Sequence, residues 1–166
     1  ANLKEESTDA VAQGFANVKR HVENTRKFGI PVMVALNSFS ADTDAERATF
    51  FKLCEEAGIS AVESDHWARG GEGAEELAKT VVEMLDTQES NFDFLYQDDM
   101  PLWDKVKTIA TELYHADDII ADQKVRNHFD LLQEKYGNLP VCIAKTPLSF
   151  TTDPSVKGAP TGHVMP

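Results

Sequence analysis

Two short stretches carry the side chains whose types and spacing invite chemistry. The first, "NSFSADTD" (residues 37–44), sets Asn37, Phe39, Asp42 and Asp44 close together. The second, "SDHWARGGEG" (residues 64–73), sets Asp65, His66, Trp67 and Arg69 ahead of Gly70, Gly71 and Gly73. A phosphate loop, a structural turn and a platform for a flat ligand all fit the second stretch. It lacks the Lys-Ser/Thr pair of a Walker A loop, and its glycines fall too close together for a dinucleotide fingerprint. The helix start behind it offers free N–H groups to an anion. Glu72, Glu75 and Glu76 crowd that first turn and already complement the helix dipole, so the turn is preferred to the phosphate loop.

The other combinations are thinner. His66 and Asp65 are the types of an acid–base pair, but neighbours on an extended loop point apart, which favours a solvated role. Asp42 and Asp44 suit a cation or a helix cap, and the cap is preferred. With His66 they would make a metal-dependent hydrolase and predict a stoichiometric divalent ion; no metal site is assigned. Lys145 and Thr146 follow an expected strand and suit an anion or a neighbouring acid. Phe39 and Trp67 stand where polar residues are expected, and either cap the core or grip a planar ring between them, at about 0.5–1.5 kcal/mol per aromatic contact beyond burial.

The elements that must position these residues follow from periodicity. Val11, Phe15, Val18 and Val22 predict an amphipathic helix over about 9–27, ended by Gly29. Residues 30–36, "IPVMVAL", read as a strand covered on both faces, as in parallel sheets. A helix starting near Asp42–Thr43 carries Phe50, Phe51, Cys54 and Ala57 and stops at Gly58. Residues 59–63 form a second strand, and Leu77, Val81, Met84 and Leu85 mark one face of the next helix. Both loops therefore leave the carboxyl ends of strands, where open α/β sheets bind ligands.

Residues 86–100 read as a linker. Pro101 opens a helix with Leu102, Val106, Ile109, Ala110 and Leu113 inward. Val125, Phe129 and Leu132 mark another helix over 122–136, closed by Gly137. Leu139–Ala144 reads as a strand, and the rest as loop with a short strand at the end. The helix–strand alternation predicts an α/β fold with a mainly parallel sheet and right-handed crossovers. Residues 1–88 carry the two loops; residues 89–166 form a helical excursion that returns to a strand and a C-terminal loop. Three strands are few for a complete doubly wound sheet and no initiator methionine is present, so a piece of a larger protein is expected.

The net charge of −12 over 166 residues argues against nucleic acid as a partner. No apolar run approaches the roughly 20 residues of a membrane helix. Cys54 and Cys142 sit in apolar stretches and are expected to be buried, reduced thiols, which implies the cytoplasm.

Taken together, "NVKRHVENTRKFGIPVMVALNSF", "DTDAE", "HWARGGEGAEELA", "NLPVCIAKT", "SF" followed by "DP", and "GAPTG" resemble formate–tetrahydrofolate ligase, in order and over nearly the whole chain. The resemblance implies an ATP-dependent ligase with a P-loop-NTPase-like sheet. Formate is phosphorylated to formyl phosphate, which N10 of tetrahydrofolate attacks to give 10-formyltetrahydrofolate. It implies ATP and tetrahydrofolate as substrates, Mg2+ and a monovalent cation, the remainder of the ligase chain as partner, and room for a homo-oligomer in the parent. It places Phe39 and Trp67 on the two faces of the pterin, Asn37 near the nucleotide, and the phosphate-binding lysine loop upstream of these residues. Ser38, Ser40, the Pro147–Leu148 pair and His163 depart from the family pattern. An isolated chain of this kind is expected to be inactive. The alternative from another class is a non-catalytic α/β interaction or assembly module.

Overall fold

The computed structural model describes residues 5–144 and 150–166. The chain divides into two compact units, residues 1–92 and 93–166.

In the first unit, α1 (Thr8–Arg26) is capped by Ser7, whose side chain accepts from the Ala10 N–H. It buries Phe15 and Val22, with Val11 and Val18 partly covered, which is the face the periodicity marks. Strand β1 (Met33–Asn37) leads through α2 (Asp44–Glu56) to β2 (Ser60–Ser64), and the two strands pair in parallel from Met33–Ser60 to Asn37–Ser64. Thr43 caps α2 in a reciprocal box with Glu46, a device worth about 1 kcal/mol. Glu46 also accepts from the Ser7 N–H at 2.9 Å, tying the start of α1 to the start of α2. Phe15, Val22, Phe50, Cys54 and Ile59 make the core, with Phe15 and Phe50 edge to face at 6.2 Å.

β1 is not covered on both faces. Val32, Val34 and Leu36 pack on this core while Ala35 is exposed, because the helices of the core cover one side of a sheet only two strands wide. A short α3 (His66–Arg69) and a 3-10 turn (Gly70–Ala74) lead into α4 (Glu75–Thr87). On α4, Leu77, Val81 and Met84 are partly buried, but Leu85 is exposed.

In the second unit, α5 (Leu102–Glu112) buries Leu102, Ile109 and Ala110, and Pro101 is its cap residue. Strand β3 (Asp118–Ile119), absent from the sequence reading, pairs in parallel with β4 (Val164–Met165). Between them in sequence lies α6 (Gln123–Tyr136), capped by the Asp122 carboxylate. Trp103 meets Phe129 edge to face at 5.3 Å, and the Arg126 guanidinium lies 3.4 Å above the Trp103 ring.

The strand expected over Leu139–Ala144 does not form. Some of its backbone groups are taken by side chains, while the Leu139 N–H donates to the Tyr136 carbonyl at 2.9 Å. The Tyr96 hydroxyl accepts from the Val141 N–H at 2.8 Å and donates to the Val141 carbonyl at 3.3 Å. Lys105 Nζ donates to the carbonyls of Asp98, Gly137 and Leu139 at 2.6, 2.8 and 3.0 Å. Lys105 is 0% exposed. Cys142, on the same segment, is therefore exposed and not buried as expected, whereas Cys54 is buried; both thiols are free.

Candidate functional site

The parallel register fixes where the two loops begin. Asn37 and Ser64 are paired partners and the last residues of β1 and β2. Phe39 stands two residues beyond one and Trp67 three beyond the other, so both rings leave the same carboxyl edge of the sheet. Phe39 is 55% and Trp67 73% exposed. Neither ring packs into the core of the first unit.

The Phe39 loop is held by a compact set of bonds. The Phe39 N–H donates to the Asp42 carboxylate at 2.8 Å, and the Asp42 N–H donates back to the Phe39 carbonyl at 3.0 Å. Arg47 from α2 donates to the Asp42 carbonyl at 2.9 Å, pairs with Asp44, and lies 3.5 Å from Glu63. Glu63 in turn accepts from the Ser38 hydroxyl at 2.6 Å. Asp42 thus closes the turn, while Asp44 pairs with Arg47 from the exposed surface. Thr43, not Asp42, is the helix cap.

The Trp67 loop is folded back on itself. The Asp65 carbonyl accepts from Ala68 and Arg69, and the Asp65 N–H donates to the Gly73 carbonyl at 3.2 Å. Gly70 takes φ +58°, a region that disfavours any side chain. At Gly73 a Cβ would fall 2.6 Å from the Asp65 carbonyl carbon. The glycines therefore serve the turn, at positions 70 and 73; Gly71 has open space around it.

His66 and Asp65 are not brought together as a pair. Asp65 faces Arg69 at 3.5 Å, while His66 Nδ1 lies 2.9 Å from the Ser64 hydroxyl. Ser64 and the Arg47–Glu63 pair were missed from sequence. No sequence signal marks Ser64, because its strand reads Ser-Ala-Val-Glu-Ser and holds a second serine and a glutamate.

Glu63, Asp65, Glu72, Glu75 and Glu76 line a groove of about 450 Å³ with Arg69 and Lys79. The Lys79 ammonium 2.8 Å away holds the Glu75 carboxyl below the ordinary range. This carboxylate wall disfavours an anion at the start of α4. Among the described residues no group of three or more His, Cys, Asp or Glu side chains gathers as a cation site. None of the described helices is long and apolar enough to cross a membrane. Lys145 and Thr146 lie outside the described residues, as do Pro147 and Leu148.

Asn37 is exposed at the end of β1. Within residues 93–166, an apolar cavity of about 340 Å³ is lined by Trp103, Val106, Ile119, Val125, Phe129 and Met165 among others. None of the sequence candidates lines it.

Comparison with known proteins agrees with the loop motifs. A family model for formate–tetrahydrofolate ligase matches residues 1–166. Proteins named formate–tetrahydrofolate ligase from Granulibacter bethesdensis, Roseobacter denitrificans and Pelagibacter ubique are 55%, 50% and 48% identical to the chain over 99%, 100% and 99% of its length. The chain spans 29%, 30% and 30% of those relatives. With the family model matching from end to end and half the residues shared with such relatives, the chain belongs to the formate–tetrahydrofolate ligase family.

Proposed function

We propose that this chain supplies the pterin-holding part of an ATP-dependent ligase that makes 10-formyltetrahydrofolate. In the proposed reaction ATP phosphorylates formate, giving formyl phosphate and ADP. N10 of tetrahydrofolate attacks the formyl carbon, the C–O bond to phosphate breaks, and inorganic phosphate leaves as N10 loses its proton. The observation that supports the reading is the pair of exposed rings, Phe39 and Trp67, on adjacent loops at one edge of a parallel sheet. A pterin is flat and π-rich, and stacking between two such rings is worth roughly 0.5–1.5 kcal/mol per contact beyond burial. Asn37, at the root of the Phe39 loop, is assigned to the nucleotide.

The phosphoryl-transfer groups are assigned to the rest of the ligase, which completes a P-loop-NTPase-like sheet with β1 and β2. Residues 1–88 then carry the pocket loops, and residues 89–166 the excursion and C-terminal loop. Mg2+ and a monovalent cation are assigned to ligands in that remainder. Exposed apolar side chains such as Ile120, Val125, Leu131 and Ile143 are surfaces for the same remainder. The chain alone is expected to turn nothing over, because the glycine turn meets carboxylates where a γ-phosphate would need donors. The cytoplasm is the compartment this reading implies.

The test uses a full-length ligase of the family carrying this segment. Trp67→Ala and Phe39→Ala should each raise KM for tetrahydrofolate at least about tenfold and leave KM for ATP within about twofold. Unchanged folate dependence in both variants overturns the assignment.

A further inference from the structure

Ser64 closes β2 and is 1% exposed. Two bonds leave it in different directions. Its carbonyl accepts from the Ser38 N–H at 3.0 Å, carrying the β1–β2 pairing one residue into the loop that bears Phe39. Its hydroxyl lies 2.9 Å from Nδ1 of His66, the residue next to Trp67. The carboxylate nearest in sequence does not compete, because Asp65 turns to Arg69. One buried residue is thus bonded to both loops whose rings are assigned to the pterin.

We propose that Ser64 is a positioning residue for the pterin site, setting the spacing of Phe39 and Trp67 through its carbonyl and its hydroxyl, with His66 as the arm that transmits the second restraint; this rests on the pocket reading above. The carbonyl half is backbone and survives substitution. The hydroxyl half does not. Without it the His66 ring is free to leave its rotamer, and Trp67 keeps only the turn that runs from Asp65 to Gly73. A ring that must be ordered on binding gives weaker affinity than one already placed. Chemistry at the formyl group is untouched, so the loss belongs in KM for the folate and not in kcat.

The test again uses a full-length family ligase carrying this segment, assayed at saturating ATP and formate. Ser64→Ala and His66→Leu should each raise KM for tetrahydrofolate about tenfold, with kcat and KM for ATP within about twofold. The double variant should be no worse than either single one, because both remove the same bond. His66→Asn, whose side-chain amide can take the place of Nδ1, should retain most of the affinity. His66 is exposed, so its variants keep the test open even if Ser64→Ala folds poorly. A Ser64 that merely stabilised the fold would lower the melting temperature and the active fraction without moving KM. That result, or additive effects in the double variant, overturns the proposal. If Trp67→Ala raises KM and Ser64→Ala does not, the positioning role fails alone. If neither raises it, the pocket assignment fails and takes this proposal with it.

Discussion

Gly73→Ala is the sharpest probe of how the tryptophan loop is built. A Cβ at that position would lie 2.4 Å from the Asp65 carboxylate, 2.6 Å from the Asp65 carbonyl carbon and 2.7 Å from its oxygen. The carboxylate can swing aside, but the carbonyl is part of the first turn of α3 and cannot. Ordinary carbon–carbon contact needs about 3.5–4.0 Å, so the two sides of the loop must part by about 1 Å. The Asp65 N–H to Gly73 carbonyl bond is already 3.2 Å long and would not survive that shift. Overpacking costs about 1–3 kcal/mol and the lost bond about 1 kcal/mol, giving about 2–4 kcal/mol in all. At this chain length that corresponds to a fall of roughly 5–15 °C in melting temperature.

The control sits two residues away. Gly71 has ordinary backbone angles and nothing within 4 Å of a Cβ, so Gly71→Ala should stay within about 0.5 kcal/mol of the parent. Thermal unfolding followed by circular dichroism compares the two directly, and a folate titration in the full-length ligase follows the displacement of Trp67. If Gly73→Ala melts within about 2 °C of Gly71→Ala, a difference under about 1 kcal/mol, close approach to Asp65 is not what requires the glycine, and the account of the loop is wrong.

Other perturbations give equally definite readings. Lys105→Met would strip three carbonyls of their buried donor, and should cost about 3 kcal/mol or more in a urea melt; an unchanged midpoint would contradict the structural role of that ammonium. The backbone N–H groups of Ser7 and then Thr43 hold the Glu46 carboxyl below the ordinary range. A lowered folded pKa means that this stabilisation is complete above the unfolded value, about 4.3, and is lost as pH falls through the folded one. Glu46→Gln should therefore flatten the acid limb of a stability–pH curve below about pH 4 and leave its shape near neutrality alone. A thiol reagent should label Cys142 in the native chain and Cys54 only on unfolding, because burial hides Cys54 and pushes its thiol pKa up; equal labelling rates would refute the burial.

Much of the first unit was legible because its signals are local. The four-three-four spacing of Val11, Phe15, Val18 and Val22 specifies one helix face, and that face packs on the core. The apolar run before Asn37 is too short for a buried helix, and it forms β1. The failures lie where non-local partners decide. Leu139–Ala144 has strand composition, but a strand needs a neighbour, and Tyr96 and Lys105 reach its backbone first. No sequence pattern links position 105 to 139. β3 is only two residues long and pairs with residues 164–165, too short to leave a periodicity.

The candidate site shows the same division. The residue types that suit a flat ligand, Phe39 and Trp67, can be read from composition against context: aromatics in loops that should be polar. Their mutual placement cannot, because it depends on the register that pairs Asn37 with Ser64. A slip of that pairing would carry one loop along the sheet by about 3.3 Å per residue, enough to spoil a stack of two rings on one heterocycle. On the proposed reading, the bonds that hold the register into the loops belong to the pocket together with the rings. Ser38 N–H to the Ser64 carbonyl is one, and the Arg47–Glu63–Ser38 chain is another. Arg47→Ala removes the guanidinium that bridges Asp42, Asp44 and Glu63, and should loosen the Phe39 side alone. In the full-length ligase it is expected to raise KM for tetrahydrofolate several-fold, by roughly 1 kcal/mol of lost preorganisation, while Cys54 stays protected from thiol reagents. Deprotection of Cys54 in that variant would show that Arg47 holds up the core, and would remove it from the site.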